Sequence, residues 1–461
     1  MKTIKRYAPV LLAGLILMGI CSCKKFLDLK PDAKLVIPKS LNDCQALLDD
    51  YVTMNTQYPS DGELASDNFY LYGEDYLSLG DQEDRDTYSW NPVGEHVLSQ
   101  WFVPYQVVYN ANLVLQTLGD LQPSAAEQNR WNQLKGAALF FRAYAFYQIA
   151  QVFAAPYQPS TASQLPGIPL RLSPDLSVKS SRGSLQQTYN QITADFTQAL
   201  ALLPLNTALA TRPSKTAAYA ALARTYLSMQ NYPQAGNMAS ECLKLKSTLM
   251  DYNTVDLNAV SPFRQFNTEV VFQSLSAPKD ALYPGVAKID PELISSYRND
   301  DLRLRAFFSD NGDGSFVFKG NYNGSSNGTD FFNGLATDEM YLVRAESYAR
   351  AGELDLALGD LNTLLKNRMA TAAYQAYTAS SVEVVLSEIL VQRRKELIAR
   401  NLRWTDLRRL NLDPRFAVTL KRRLHFSEGE KEYTLPPNDL RYTFLIPQQV
   451  MSQTDLQQNP R

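Results

Sequence analysis

Leu222-Ala223-Arg224-Thr225-Tyr226, followed by Tyr232, Ala235, Ala239 and Cys242, is the stretch that decides the fold. The same offsets return as Ala345, Tyr348, Gly352, Leu354, Ala357, Leu361 and Leu364. Laying Tyr226 on Tyr348 places Ala223 on Ala345, Tyr232 on Leu354 and Ala235 on Ala357. It also places Ala239 on Leu361 and Cys242 on Leu364. Small residues recur where two antiparallel helices touch, and larger ones recur where they fill the groove beside them. Each stretch therefore reads as a helical hairpin, with Cys242 in its core.

The offsets are those of a tetratricopeptide repeat, a unit that normally stacks in tandem. Here a long segment separates the two, which argues against a simple superhelical array. Around them the periodicity predicts more helix. Leu41, Cys44, Leu47, Leu48 and Tyr51 mark a first one within 38–55, and 98–118 carries Trp101, Tyr105, Val108, Asn112 and Leu115 on one side. Residues 131–153 form a strong helix that stops at Pro156. After a Pro-rich connection, Ser184 caps another that ends at Pro204. This second pair reads as a further hairpin opened by the insertion. Residues 251–335 are rich in Ser, Asn, Gly and Asp, and Phe307-Phe308 with Phe316 and Phe318 read as a β-hairpin around Asp313-Gly314. Residues 381–409 are expected as one long amphipathic helix and 410–461 as an irregular tail. The fold class is mainly α: tetratricopeptide-like hairpins as scaffold, a loop-rich ligand-binding face, and a few short strands.

Composition narrows the function. Lys and Arg number 45 against 47 Asp and Glu, a formal charge of −2, which is not the basic excess of a nucleic-acid binder. Two histidines, His96 and His425, rule out a multi-histidine metal site within this chain. There is no CxxC pair, no Gly-rich phosphate loop and no GxSxG elbow. Asp310-Asn311-Gly312-Asp313-Gly314 looks like a calcium loop, but glycine stands where an oxygen ligand is needed, so a turn is the better reading. An incidental Ca²⁺ site in these loops stays open. Carboxylates such as Glu63, Asp67, Glu74, Asp75, Asp300 and Asp301 read as solvated surface, and Arg393-Arg394-Lys395 with Arg408-Arg409 as a charged helix face neutralised by Glu388, Glu396 and Asp406. No catalytic residue, cofactor or metal is called, and no enzyme activity is expected.

The N-terminus reads as an address. Lys2, Lys5 and Arg6 precede an uncharged apolar run from Ala8 to Ile20, too short to span a bilayer. Ile20-Cys21-Ser22-Cys23 resembles a bacterial lipobox, and cleavage after Ser22 would leave Cys23 for acylation, since Cys21 follows the bulky Ile20. Cys44 and Cys242 remain, and the sequence does not say whether they pair. The candidate ligand contacts lie in the aromatic-rich segment 69–105. Tyr70, Tyr72, Tyr88 and Trp90 fall outside strong periodicity and are expected to be exposed, with Asn91 beside them; Trp101 and Tyr105 read as helix core. Aromatic faces stack on sugar rings while amides and charged groups take the hydroxyls.

Several stretches together resemble the SusD/RagB family of outer-membrane nutrient-binding lipoproteins. They are Ser22-Cys23-Lys24-Lys25-Phe26-Leu27-Asp28, the helix Lys135 to Ala145, Gly167-Ile168-Pro169-Leu170-Arg171, and the block Gln392 to Leu397 through Arg403 to Arg409. The close, Ile446-Pro447-Gln448-Gln449 with Gln458-Asn459-Pro460, matches as well. Arg400-Asn401 departs from the Glu-Gly common in the family; Asn tolerates a left-handed helix end, and the charge change has no evident reading. The resemblance implies a lipoprotein signal at 1–22 and a single body at 23–461. Within it, 23–130 would hold N-terminal helices and aromatic loops, 131–250 tetratricopeptide-like helices, 251–335 a loop-rich insertion, and 336–461 a second hairpin, the long helix and the tail. It implies a cell-surface position in the outer membrane through a lipid anchor. It also implies capture of an oligosaccharide, or in some members a peptide, for a SusC-like TonB-dependent transporter, with binding rather than catalysis. Part of the carbohydrate contact would come from aromatics around Tyr88 and Trp90. A protein-interaction scaffold without a small ligand is the remaining alternative.

Overall fold

The computed structural model describes residues 38–94 and 96–461. Residues 39–461 form one compact unit. The signal at 1–22 and the acylation call on Cys23 lie outside the described residues.

Helix α1 (Leu41–Leu48) starts at Ser40, whose hydroxyl accepts from the Asp43 N–H, and buries Leu41, Cys44 and Leu48. Its face packs on α2 (Leu98–Asp120) and α3 (Gln128–Phe153). From Ala138 to Phe153 every residue of α3 is buried, so the helix runs through the protein rather than over it. Such a helix needs its polar groups satisfied internally. Arg142 does so by donating both ends of its fork to Asp195 at 2.7 Å and a third bond to Asn112 at 2.9 Å. Asp195 belongs to α4 (Leu185–Leu202), so one guanidinium ties three helices. The capping box expected from Ser184 is present, with Gln187 closing it.

The two hairpins fold as read. The first is α5 (Lys215–Ser228) with α6 (Tyr232–Leu245); the second is α7 (Thr337–Ala351) with α8 (Leu354–Lys366). Ala223, Ala235, Ala239, Cys242, Ala345, Ala357, Leu361 and Leu364 are all buried. Each hairpin turns through a left-handed residue at the matching position, Gln230 at φ 59° and Gly352 at φ 87°. Although residues 246–336 intervene in sequence, α6 packs directly on α7. A Cβ on Gly236 would sit 2.8 Å from the Ser347 Cβ, so glycine lets the helices close. The repeats are tandem in space, and the segment between them is an insertion. Cys44 and Cys242 are both free and buried; burial pushes their thiols up to about 11 and about 12.

Strands among the described residues form only two-stranded sheets. β1 (Phe69–Tyr70) pairs antiparallel with β2 (Lys288–Ile289), and β3 (Phe308–Asp310) with β4 (Phe316–Phe318) in the expected hairpin. Its turn carries Gly312 and Gly314 at positive φ, and the Asp310 and Asp313 carboxylates accept backbone N–H groups of Gly312 and Ser315 within it.

Two expectations fail. The helix foreseen over 381–409 is two, α9 (Val382–Glu396) and α10 (Arg403–Leu410), because Ala399 and Asn401 turn left-handed at φ 54° and 58°. Asn401 holds that bend by donating its N–H to Glu63 at 2.8 Å. The tail is not wholly irregular: β5 (Leu420–Phe426) and β6 (Gly429–Leu435) make a seven-residue hairpin. Among the described residues no helix is long and apolar enough to cross a membrane.

Candidate ligand-binding face

The charged block of α9 and α10 turns inward, which corrects its reading as a solvated face. Arg393, Lys395, Glu396, Asp406, Arg408 and Arg409 are buried. Asp406 accepts from Arg393 and Arg409 at 2.8 Å each, Glu396 pairs with Arg303 and Arg368, and Lys395 pairs with Asp301. Glu63 and Asp301, read as surface carboxylates, are buried too. Arg400 also gains a role: it pairs with Asp338 at 3.0 Å and its guanidinium lies 3.7 Å from the Tyr322 ring centroid. Among the described residues, one carboxylate group has metal-like spacing, Glu269, Asp338 and Glu396 within 4.8 Å. Arg368 bonds two of these at 2.7 Å and Arg400 takes the third, so cations of the chain already balance them. This buried lattice fixes the frame on which the loops stand.

The loops present an aromatic face at β1. Alternation along a strand sends Phe69 and Leu71 inward, where they are buried, and Tyr70 and Tyr72 outward. Tyr72 is 46% exposed, and its ring meets Tyr70 edge-on at 5.6 Å. Across the strand pair, Tyr70 is in register with Lys288, whose ammonium lies 5.7 Å from the Tyr72 ring centroid. The same ammonium donates to the carbonyls of Gly285 and Val286 at 3.0 and 3.2 Å. Tyr283, 45% exposed, leans over Gly285, where an added Cβ would stand 2.9 Å from its Cε1. The Asp313 carboxylate at the tip of the β3–β4 hairpin is close enough to Tyr70 and Lys288 to be felt electrostatically by both. Burial, then the Tyr72 hydroxyl, push the Tyr70 phenol well above its usual range. Two accessible rings, the half-buried Tyr70 phenol and a carboxylate thus share one surface, and the Lys288 ammonium, in a residue only 8% exposed, lies just beneath it.

Tyr88 and Trp90 are not on it. They are 1% and 4% exposed, and the expectation of exposure is corrected. Arg422 of β5 is the reason: its guanidinium lies 3.7 Å from the Tyr88 ring and 4.5 Å from Trp90. It also donates to the carbonyls of Tyr88, Leu64 and Ser66. The two aromatics brace the face from behind. The Leu71 N–H, between Tyr70 and Tyr72, donates to the Tyr88 hydroxyl at 2.9 Å, and Trp90 Nε1 donates to the Ala65 carbonyl at 2.9 Å. Asn91 is half-buried; its amide donates to Asp86 at 2.9 Å and its oxygen accepts from the Val93 N–H, closing a turn. Trp101 is buried, as read, and Tyr105 packs beside it at 5.2 Å.

Behind the face, a buried ammonium ties the segment before Tyr283 to the elements carrying Asp61 and Asp84. Lys279, just upstream of Tyr283, meets Asp61 at 2.8 Å and Asp84 at 2.5 Å; Asp84 lies on the helix Gln82–Tyr88. Burial alone would raise the Asp61 carboxyl, but Lys279 and His96 outweigh it and hold it at about 2. Lys279, Tyr283, Lys288, Asp313 and Arg422 were all missed from sequence. Arg422 had a signal, the strand-like alternation Leu420, Arg422, Leu424 against Lys421, Arg423, His425. Lys288 had none, because only the β1–β2 register brings it to Tyr72, and Tyr283 is placed by the turn at Gly285.

A family model described as starch-binding and associating with the outer membrane matches residues 25–227, and the SusD family model matches residues 321–461. No curated protein matches the sequence. Among solved structures, a SusD superfamily protein from Bacteroides thetaiotaomicron VPI-5482 is 21% identical. Its TM-score is 0.73, over 92% of this chain and 100% of that one. Another from Bacteroides vulgatus ATCC 8482 is 20% identical with a TM-score of 0.74, over 92% and 99%. A laminarin-binding SusD-like protein is 18% identical with a TM-score of 0.65, over 90% and 97%. With two family models covering both ends and the same helical frame in these structures, the chain belongs to the SusD/RagB family.

Proposed function

We propose that this protein captures an oligosaccharide on the face built by Tyr70, Tyr72, Tyr283 and Lys288 and passes it, chemically unchanged, to a SusC-like TonB-dependent transporter. The observation that carries the reading is Tyr72: a ring almost half exposed, braced edge-on by Tyr70 and flanked by an ammonium. A flat apolar ring with hydrogen-bonding groups at its rim suits a sugar, which offers a C–H face and a belt of hydroxyls. Family membership and the laminarin-binding neighbour support a carbohydrate as the ligand class. Acylation at Cys23 would hold the protein at the cell surface in the outer membrane, where such a partner could receive the ligand.

Calorimetric titration against a panel of oligosaccharides and peptides tests the reading. At least one glycan is expected to bind, and Tyr72→Ala to weaken it by about tenfold or more. Peptide binding with no glycan binding, or a bound glycan indifferent to Tyr72→Ala, would refute it. Mass spectrometry of protein purified from membranes checks the anchor, which requires a diacyl or triacyl mass on the Cys23 peptide.

A further inference from the structure

Away from that face, a cavity of about 440 Å³ opens between segment 206–216, ahead of α5, and the turn at 264–268. Phe266 stands on its wall and is 49% exposed. Among the Phe, Tyr and Trp side chains of the described residues only Phe102 is more open to solvent, with Tyr72 and Tyr283 close behind. The Phe266 backbone has φ 57°, the left-handed region that crowds a Cβ and normally takes Gly or Asn. A bulky residue persists there only when its surroundings over-determine it, and such strain gathers at binding sites. The surroundings here are well fixed. Gln265 donates to the Tyr51 hydroxyl at 3.0 Å, Asn267 accepts from the Glu269 N–H at 3.1 Å, and Gly324 closes on Gln265 where a Cβ would lie 3.0 Å from its nitrogen. With half its ring in solvent, Phe266 is not explained by packing.

The rest of the lining is mixed: Leu209, Ala210, Val270 and Val271 are apolar, and Thr207, Ser214 and Thr216 are hydrogen-bonded within the chain. The side chains of Asn206, Thr211 and Thr268 make no hydrogen bond within the described residues. Lys246 is half-buried and donates once, to the Val270 carbonyl at 2.7 Å. Where Lys279 and Lys395 each meet a carboxylate, Lys246 forms no ion pair among the described residues. Burial lowers its pKa from the usual lysine value, and the Glu269 carboxylate, felt only at a distance, does not make up the loss.

We propose that this cavity is a second saccharide subsite that selects an acidic sugar. The ring of a hexuronic acid stacks on Phe266, its carboxylate meets Lys246, and its hydroxyls reach Asn206, Thr211 and Thr268. The volume suits one or two sugar rings. The inference rests on the reading that the chain binds glycans and adds a charge preference at a separate place.

The test titrates the full chain with oligosaccharides of galacturonic, glucuronic, mannuronic and guluronic acid and with their carboxyl-reduced counterparts. At least one uronate series is expected to bind about tenfold more tightly than its reduced form. Lys246→Met should erase that difference, and Phe266→Ala should weaken the uronate about tenfold. Phe266→Gly relieves the left-handed backbone, so it should melt no lower than Phe266→Ala while binding as poorly, which separates lost binding from lost folding. Uronates that bind no better than their reduced forms, or bind equally to the Phe266 and Lys246 variants, overturn the proposal. If Tyr72→Ala removes every glycan while both variants match wild type, the second subsite falls and the first stands. If neutral glycans never bind yet uronates depend on Phe266 and Lys246, the first falls and the second stands.

Discussion

Tyr88→Phe removes one oxygen atom and little else. The ring stays under the Arg422 guanidinium, 3.7 Å away, and beside Tyr76 at 5.9 Å. What goes is the acceptor for the Leu71 N–H at 2.9 Å. Leu71 is 2% exposed and Tyr88 1%, so water does not replace the lost partner. A buried N–H left without an acceptor costs about 1–3 kcal/mol. Urea unfolding followed by circular dichroism should show that loss as a lower midpoint with an unchanged slope. Tyr72→Phe, at an exposed ring, should stay within about 0.5 kcal/mol of wild type. Because Leu71 sits between Tyr70 and Tyr72, the same variant should also weaken a Tyr72-dependent glycan severalfold. A Tyr88→Phe protein as stable as wild type, to within about 0.3 kcal/mol, with undiminished affinity would refute the bracing role.

Other perturbations probe the frame. Arg422→Met strands the carbonyls of Tyr88, Leu64 and Ser66 and removes the cation from two rings, so a loss of about 3–5 kcal/mol in urea unfolding is expected, which Arg422→Lys should not rescue because an ammonium cannot span the same fork. Burial pushes the Glu63 carboxyl up to about 7 from its ordinary 4.5. The folded state therefore keeps a proton that the unfolded chain releases between those values, and Glu63's contribution to stability falls as pH rises through the window. Glu63→Gln should accordingly compare with wild type about 1–3 kcal/mol more favourably at pH 8 than at pH 4, whatever its cost at low pH; an equal effect at both would contradict the assignment. Gly236→Ala forces a Cβ to 2.8 Å from Ser347 and should cost about 1–3 kcal/mol by thermal or urea unfolding, largely recovered in the double variant with Ser347→Gly.

What sequence reading reached, and where it stopped, follows from the range of the forces involved. Helical hairpins announce themselves through spacing within a few turns, so Ala223, Ala235, Ala345 and Ala357 marked both pairs, and Ser184 marked a cap. That the hairpins stack depends on Gly236 meeting Ser347 across a long insertion, which no local pattern records. The break between α9 and α10 depends on Glu63 holding Asn401, again a distant partner. Charge misled for the same reason. Arg393, Lys395 and Arg409 have the composition of a wet surface, yet Asp406, Asp301 and Glu346 neutralise them inside. At the candidate face, Tyr70 and Tyr72 were legible only as aromatics outside helical periodicity; the two-residue strand that turns them outward, and leaves Tyr70 half-buried, gives no local pattern. Tyr88 and Trp90 went inward because Arg422, in a hairpin the sequence reading left irregular, stacks over them.

The central claim is that a sugar lies on Tyr72, and a crystal structure with the tightest glycan from the panel tests it most directly. The account predicts a pyranose ring parallel to the Tyr72 ring at van der Waals distance, with hydroxyls on the Tyr70 phenol. Glycan density bound elsewhere on the protein, with Tyr72 and Tyr283 left bare, would contradict it.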